Sequence, residues 1–181
     1  MIHLYSGDGK GKTSIVTGMA MRMAGAGKEV IFAQFMKGNE SSEIKIFSEI
    51  PRMTVLKVEK NFGFYKDMTE SEKAEITGCH NEILRKIYNR IKESAGKNIN
   101  RNLEPDLLVV MDEITYPCRW NLIDEMLLLQ ILRELPENVE LAMTGRNPQD
   151  YMIECSDYWS DVEKRKHPYD RGIKARQGVE Y

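Results

Sequence analysis

Ser6-Gly7-Asp8-Gly9-Lys10-Gly11-Lys12-Thr13-Ser14 decides the fold of this chain. The short apolar run Ile2-His3-Leu4-Tyr5 precedes it, and an apolar, Met-rich stretch of helical length follows. Strand, glycine-rich loop and helix are the context in which a loop of this kind cradles phosphate. Glycines let successive backbone N–H groups turn toward one point, because no Cβ stands in the way. The following helix adds its own unpaired N–H groups and the positive end of its dipole. Lys12 supplies a full charge and Thr13 a hydroxyl suited to Mg²⁺. The usual pattern has glycine six residues before the lysine, and Ser6 stands there instead. Gly7, Gly9 and Gly11 therefore share the turn, with Asp8, Lys10 and Ser14 completing a loop that binds a nucleoside triphosphate.

The rest of the chain reads as a frame for that loop. Strands are expected at 28–35, 53–58, 106–111, 139–143 and 158–163. Helices are expected at 13–24, at 42–50, in a long segment opened by the capping box Thr69-x-x-Glu72, at 121–135, and after Asn147-Pro148. Helix 13–24 is apolar on most faces, which predicts burial against a sheet. Segment 36–39 reads as a loop, and the polar stretch 93–105 as a longer one, its insert at 95–103 having no assigned role. Strands alternating with helices predict an α/β fold, a mostly parallel sheet covered on both faces. Ligands of such sheets sit beyond the carboxyl ends of the strands. At 181 residues, 41% hydrophobic and 30% charged, the chain suits one domain, 1–181, burying roughly 70% of its unfolded surface.

Composition also sets exclusions. A net charge of −2 lacks the electrostatic footprint of a nucleic-acid binder. Cys79, Cys118 and Cys155 form no CxxC pair, which points to reduced thiols in the cytoplasm and no zinc site. No signal-peptide pattern and no apolar run of membrane-spanning length occur.

Four further stretches bear on chemistry. Asp112-Glu113 ends an apolar strand, where a carboxylate would meet Mg²⁺ opposite Thr13; the same pair suits hydrolysis and group transfer alike. Thr144-Gly145-Arg146 ends another strand at the same edge, and the planar fork of Arg146 suits phosphate or ribose oxygens. The segment 164–176 holds six cationic side chains. It reads either as a solvated face or, given Pro168, Tyr169, Gly172 and Ile173, as a shaped tail, 164–181, packed on the domain. Phe62, Phe64 and Tyr65 flank Gly63 in a loop that suits no regular element. They would pack under a helix or form an apolar wall for a flat ligand.

Taken together, S-G-D-G-K-G-K-T-S, F-A-Q-F-M-K-G, G-F-Y, M-D-E-I-T-Y, M-T-G-R-N and K-H-P-Y-D-R-G-I-K-A-R-Q-G-V-E-Y resemble the phosphate-loop family of cob(I)alamin (corrinoid) adenosyltransferases. The resemblance runs from the first strand to the last residue and implies a RecA-like nucleotide-binding fold. It implies that ATP and a corrinoid are the substrates, Mg²⁺ the cofactor, and triphosphate the leaving group expelled when Co(I) attacks the ribose C5′ carbon. Catalytic roles then fall to Lys12, Phe64 and Tyr65, and Mg²⁺ to Thr13 with Glu113 in preference to Asp112. Phe64, Tyr65 and Lys66 would face the corrinoid and displace an axial ligand of cobalt; Lys66 stands where the family commonly has tryptophan. The family also implies a homodimer and a reduced flavoprotein as electron donor. Other classes of reading are a phosphate-loop kinase or ATPase, which would leave ADP, and a non-catalytic nucleotide or corrinoid binder.

Overall fold

A computed structural model describes residues 1–36, 41–95 and 104–179. Most of the 36–39 turn, the 95–103 insert and the last two residues of the tail therefore lie outside the described residues. Six strands, β1 (Ile2–Ser6), β2 (Glu29–Gln34), β3 (Met53–Lys57), β4 (Leu107–Asp112), β5 (Val139–Thr144) and β6 (Tyr158–Asp161), form one sheet of order β3-β2-β4-β5-β1-β6. Every pairing is parallel, so the sheet is wholly rather than mostly parallel.

Continuous apolar runs produce this arrangement because alternate residues of the central strands feed two cores. Ile31, Ala33, Val109, Met111, Leu141 and Met143 face one side, where they meet Ile76, Ile83, Leu84, Ile87 and Ile91 of α3 (Glu70–Ser94) and Leu128, Ile131 and Leu132 of α5 (Glu125–Arg133). Val30, Phe32, Leu108, Val110 and Ala142 face the other. There they meet Val16 and Ala20 of α1 (Lys12–Gly25) and Ile44 and Phe47 of α2 (Ser42–Phe47). Helices thus cover both faces. The capping box is formed: Thr69 Oγ1 accepts from Glu72 N–H, and the Glu72 carboxylate accepts from Thr69 N–H at 2.8 Å.

Several expectations are corrected. Helix α1 packs against the sheet as expected, but only through the stripe of Val16 and Ala20, so its other apolar residues Ile15 and Met21 are 37% and 44% exposed. The helix expected at 121–135 is the shorter α5, which begins only after Asp124, whose carboxylate caps Leu127 N–H, and a separate short helix, α4 (Thr115–Arg119), precedes it. Pro117 is tolerated in α4 because it lies in the first turn, where no intrahelical N–H is needed. Asn147, at φ +48°, does not cap the next helix; the N-cap position of α6 (Asp150–Glu154) falls at Gln149, whose side chain makes no capping bond. The aromatic loop also contains a 3₁₀ turn, Tyr65–Asp67. Among the described residues no helix is long and apolar enough to cross a membrane, and the three cysteines are free.

One buried group gives the fold a pH dependence. His80 of α3 is fully buried; its Nδ1 lies 2.9 Å from Leu122 O, so that nitrogen carries the proton and Nε2 is left without a partner. Burial pushes its pKa down to about 4, only partly opposed by the Leu122 carbonyl. The unfolded chain binds this proton more readily, so the stability held above pH 6.5 is lost progressively as pH falls toward about 4. The total is about 3 kcal/mol. Thermal unfolding followed between pH 7 and 5 is expected to show Tm falling for the wild type and a flatter profile for His80→Leu.

Candidate nucleotide site

At the carboxyl edge of the sheet the chain leaves β1 at Ser6 and turns through Gly7–Gly11 into α1. The loop is clamped from outside by the backbone that follows β6. Gly9 N–H donates to Val162 O at 2.7 Å, and Val162 N–H to Ser6 O at 2.8 Å. A Cβ on Gly9 would lie 2.6 Å from Val162 O, and one on Gly7 only 2.4 Å from the same oxygen. Gly7 and Gly11 also take φ of +107° and +120°, where a side chain is strained. Close backbone approach thus requires glycine at positions 7 and 9, and the positive φ favours it at 11.

Ser6 has its own explanation. It is buried; its hydroxyl donates to Asp161 Oδ1 at 3.1 Å and accepts from Trp159 Nε1 at 2.9 Å. The residue in place of the usual glycine therefore ties the loop to β6. Asp8 adds a further tie, its Oδ1 accepting from Lys164 N–H at 2.9 Å, a bond that holds its carboxyl below the usual range. That contact brings the start of the basic tail to the loop. Beyond it the segment is largely exposed, Tyr169 at 75% and Ile173 at 42%.

Lys12 curls back over the loop, its ammonium donating to Gly7 O and Gly9 O, each at 2.7 Å. Burial lowers its pKa first, and neighbouring Arg146 adds to that; Glu113, Asp8 and Asp112 pull the other way. Arg146 Nη2 reaches Asp8 O at 3.4 Å, so the two cations stand on the same loop. Gly145 makes this approach possible: at φ +151°, a Cβ there would overlap Thr115 Oγ1. The Thr115 hydroxyl in turn donates to Arg146 O at 2.9 Å.

Asp112 closes β4 with no exposed surface, and its Oδ1 accepts from Thr13 Oγ1 at 3.0 Å and Thr144 Oγ1 at 2.7 Å. Thr144 Oγ1 accepts from Glu113 N–H at 2.8 Å. Glu113 itself has φ +63° and is half-buried, so the backbone kinks where the acidic pair begins. Lys12, Thr13, Asp112 and Arg146 thus meet at one point, with Glu113 on the same turn. A hydroxyl hydrogen-bonded to a buried carboxylate is a hard-oxygen set of the kind that takes Mg²⁺, so these residues fit that ion.

The aromatic loop divides by residue. Phe62 is buried with Lys60 over its ring, while Phe64 is 76% exposed and Lys66 lies in solvent. Tyr65 stacks flat on Trp120, ring centres 4.6 Å apart and planes 5° off parallel, and Trp120 contacts Tyr116 at 5.3 Å. Both partners belong to α4 and its end, directly after Asp112-Glu113. The turn carrying Phe64, Tyr65 and Lys66 is therefore joined to the acidic strand end through α4. Sequence reasoning missed Trp120, Trp159 and the Thr144–Asp112 bond. Only Thr144 stood inside a recognised motif; for the tryptophans no spacing gave a signal.

A wholly parallel sheet with this loop defines the class, an α/β protein of the phosphate-loop nucleotide-binding fold. Solved structures sharing the fold include EssC (ATPases 2 and 3) from Geobacillus thermodenitrificans, at TM-score 0.53 and 13% identity over 98% of this chain. The cytoplasmic domain of the Thermomonospora curvata type VII secretion ATPase EccC follows at TM-score 0.51 and 12% identity over 97% of this chain. The chain spans 34% and 22% of those two chains, and the likeness extends to the fold alone. Sequence carries the assignment further. The family model of the ATP:corrinoid adenosyltransferase BtuR/CobO/CobP matches residues 1–181, and the chain belongs to that family. It is similar to the corrinoid adenosyltransferase of Escherichia coli (strain K12), 29% identical over all of this chain and 85% of the relative. The Pseudomonas aeruginosa corrinoid adenosyltransferase is 31% identical over 98% of this chain and 82% of that protein.

Because Lys12 already sits on the loop carbonyls, it is expected to contribute to anion binding without rearrangement. Calorimetric titration with tripolyphosphate is expected to show affinity falling by roughly tenfold or more in Lys12→Ala, in line with loss of a charge-assisted bond.

Proposed function

We propose that this chain transfers the 5′-deoxyadenosyl group of MgATP to the Co(I) centre of a corrinoid (cobalamin, cobinamide or cobyrinic acid a,c-diamide), releasing triphosphate. Family membership over residues 1–181 supports the reaction class. The observation that carries the reading is the convergence of Lys12, Thr13, Asp112 and Arg146 on one loop. In this reaction the bond from cobalt to C5′ forms as the bond from C5′ to the triphosphate oxygen breaks, and the electron pair leaves with the triphosphate. The leaving group gains charge and needs no proton from a side chain. What the chain must supply is cations, N–H groups and alignment.

The residues divide accordingly. Gly7, Asp8, Gly9, Lys10 and Gly11 offer the backbone cradle, with Ser14 continuing it into the first turn of α1. Lys12 and Arg146 neutralise the growing charge. Thr13 and Asp112, with Glu113 beside them, would hold Mg²⁺, which when bound adds positive charge at the phosphate oxygens. Phe64 and Tyr65 present aromatic surface to the corrinoid, with Tyr65 held in place by Trp120. Lys66, exposed in this turn, gives a strongly hydrated ammonium where an apolar side chain would exclude solvent. A homodimer in the cytoplasm, served by a reduced flavoprotein, is the setting that this reading implies, with the 1–181 chain acting as one domain.

Phosphorus NMR of the protein with MgATP and chemically reduced cobalamin or cobinamide tests the chemistry. Intact tripolyphosphate is expected to appear in step with loss of Co(I) absorbance. ADP with unchanged corrinoid would instead mark a kinase or ATPase. In the same assay Lys12→Ala should lose ~3–4 kcal/mol of transition-state stabilisation, a rate loss of roughly 10²–10³-fold.

The aromatic turn is tested separately. With Co(II) substrate plus reductant, Lys66→Trp is expected to gain rate and Phe64→Ala to lose it, both more than with pre-reduced Co(I). Equal effects on the two substrates would remove the turn from the reduction step.

A further inference from the structure

The opposite edge of the sheet carries a feature that the adenosyl-transfer reading does not use. A cavity of about 340 Å³ opens where β2 and β4 begin, lined by Glu29, Ile31, Leu107, Arg52, Thr54, Leu56, Lys86 and Arg90 among others. Its volume lies in the range of small-molecule sites. The floor is apolar, from Ile31, Leu56 and Leu107, while three cations reach it from two directions: Lys86 and Arg90 from α3, and Arg52 from the turn before β3. Among the described residues Glu29 is the one acid in the lining, and it is engaged by Arg90 Nη2. Glu93, outside the lining, approaches Arg90 Nη1 only to 3.8 Å. That nitrogen is buried and has no hydrogen-bond partner. The lining thus keeps an excess of positive charge.

Arg52 adds an independent sign. Met53 N–H donates to Ile50 O at 3.2 Å across Pro51-Arg52, and Arg52 takes φ +67°. Proline followed by a residue of positive φ is the pattern of a type II turn, whose third position favours glycine or asparagine. An arginine held there carries backbone strain that the turn does not require, and such strain gathers at functional positions.

We propose that this cavity is a second ligand site, taking a small amphiphilic anion whose apolar body rests on Ile31, Leu56 and Leu107 and whose phosphate or carboxylate head is held by Arg52, Lys86 and Arg90. The site lies at the amino ends of the strands, whereas the nucleotide loop lies at their carboxyl ends, so both can be filled at once.

Calorimetric titration of the full chain, saturated with MgATP, uses hexyl phosphate as the probe. Binding is expected at one to one, with 1-hexanol and inorganic phosphate each weaker by about tenfold or more, since each lacks one half of the recognition. Hexanoate run alongside separates the two head groups: tighter binding than hexyl phosphate assigns a carboxylate ligand, weaker binding a phosphate. Arg52→Gly removes the guanidinium and leaves the turn unstrained. It is expected to keep its Tm and to lose about tenfold in probe affinity, as is Lys86→Ala on the exposed face of α3. Absence of saturable binding would overturn the proposal, as would displacement of hexyl phosphate by MgATP, affinity for hexanol equal to that for hexyl phosphate, or unchanged affinity in both variants. Loss of adenosyl transfer in the preceding assays leaves these outcomes unaffected, because the probe binds away from the loop.

Discussion

The buried carboxylate of Asp112 is the constraint on which the carboxyl edge of the sheet depends. A charge with no exposed surface must be hydrogen-bonded or its burial would cost several kcal/mol. Here Thr13 and Thr144 donate to a single oxygen. Those two hydroxyls come from the start of α1 and the end of β5, so satisfying one strand-end charge fixes the spacing of three elements. The loop ahead of Thr13 is thereby set against the turn after Thr144, and Arg146 is brought over Asp8. Cation, hydroxyl and carboxylate stand together because burial allows Asp112 no looser arrangement.

Much of this was legible in the residues. Runs such as Leu107-Leu108-Val109-Val110-Met111 are apolar at every position, as suits a strand buried on both faces, and their alternation with helical segments implies the parallel sheet. The loop was legible because its glycines answer a local geometric need. What could not be read was long-range. Nothing in Ser6 announces a hydrogen bond to Trp159, more than 150 residues later in the chain. The long apolar helix around 121–135 was misread because apolar periodicity continues through 121–124, and only the capping preference of Asp124 breaks it.

The aromatic loop shows the same limit at the level of the site. Phe62, Phe64 and Tyr65 are alike in composition and separated by a few residues, yet one is core, one is exposed and one is stacked on α4. Gly63 at φ +72° separates Phe62 from Phe64, and the 3₁₀ turn begins at Tyr65, so neighbouring rings point into different surroundings. Sequence identified the loop as unusual; which ring belonged to which environment depended on Trp120, whose own position follows from the split between α4 and α5.

The parallel order places β1 between β5 and β6, and this has a bearing on how the molecule is made. The phosphate loop is synthesised well before the segment that walls it in. Its outer wall, Val162 and the backbone beside it, is encoded more than 150 residues later. Until that distant segment is translated, Gly9 lacks the carbonyl that its N–H donates to and Ser6 lacks Trp159. A nascent chain therefore carries its glycine-rich segment without that wall until the later segment follows, and completes the nucleotide cradle only when β6 is laid against the first strand.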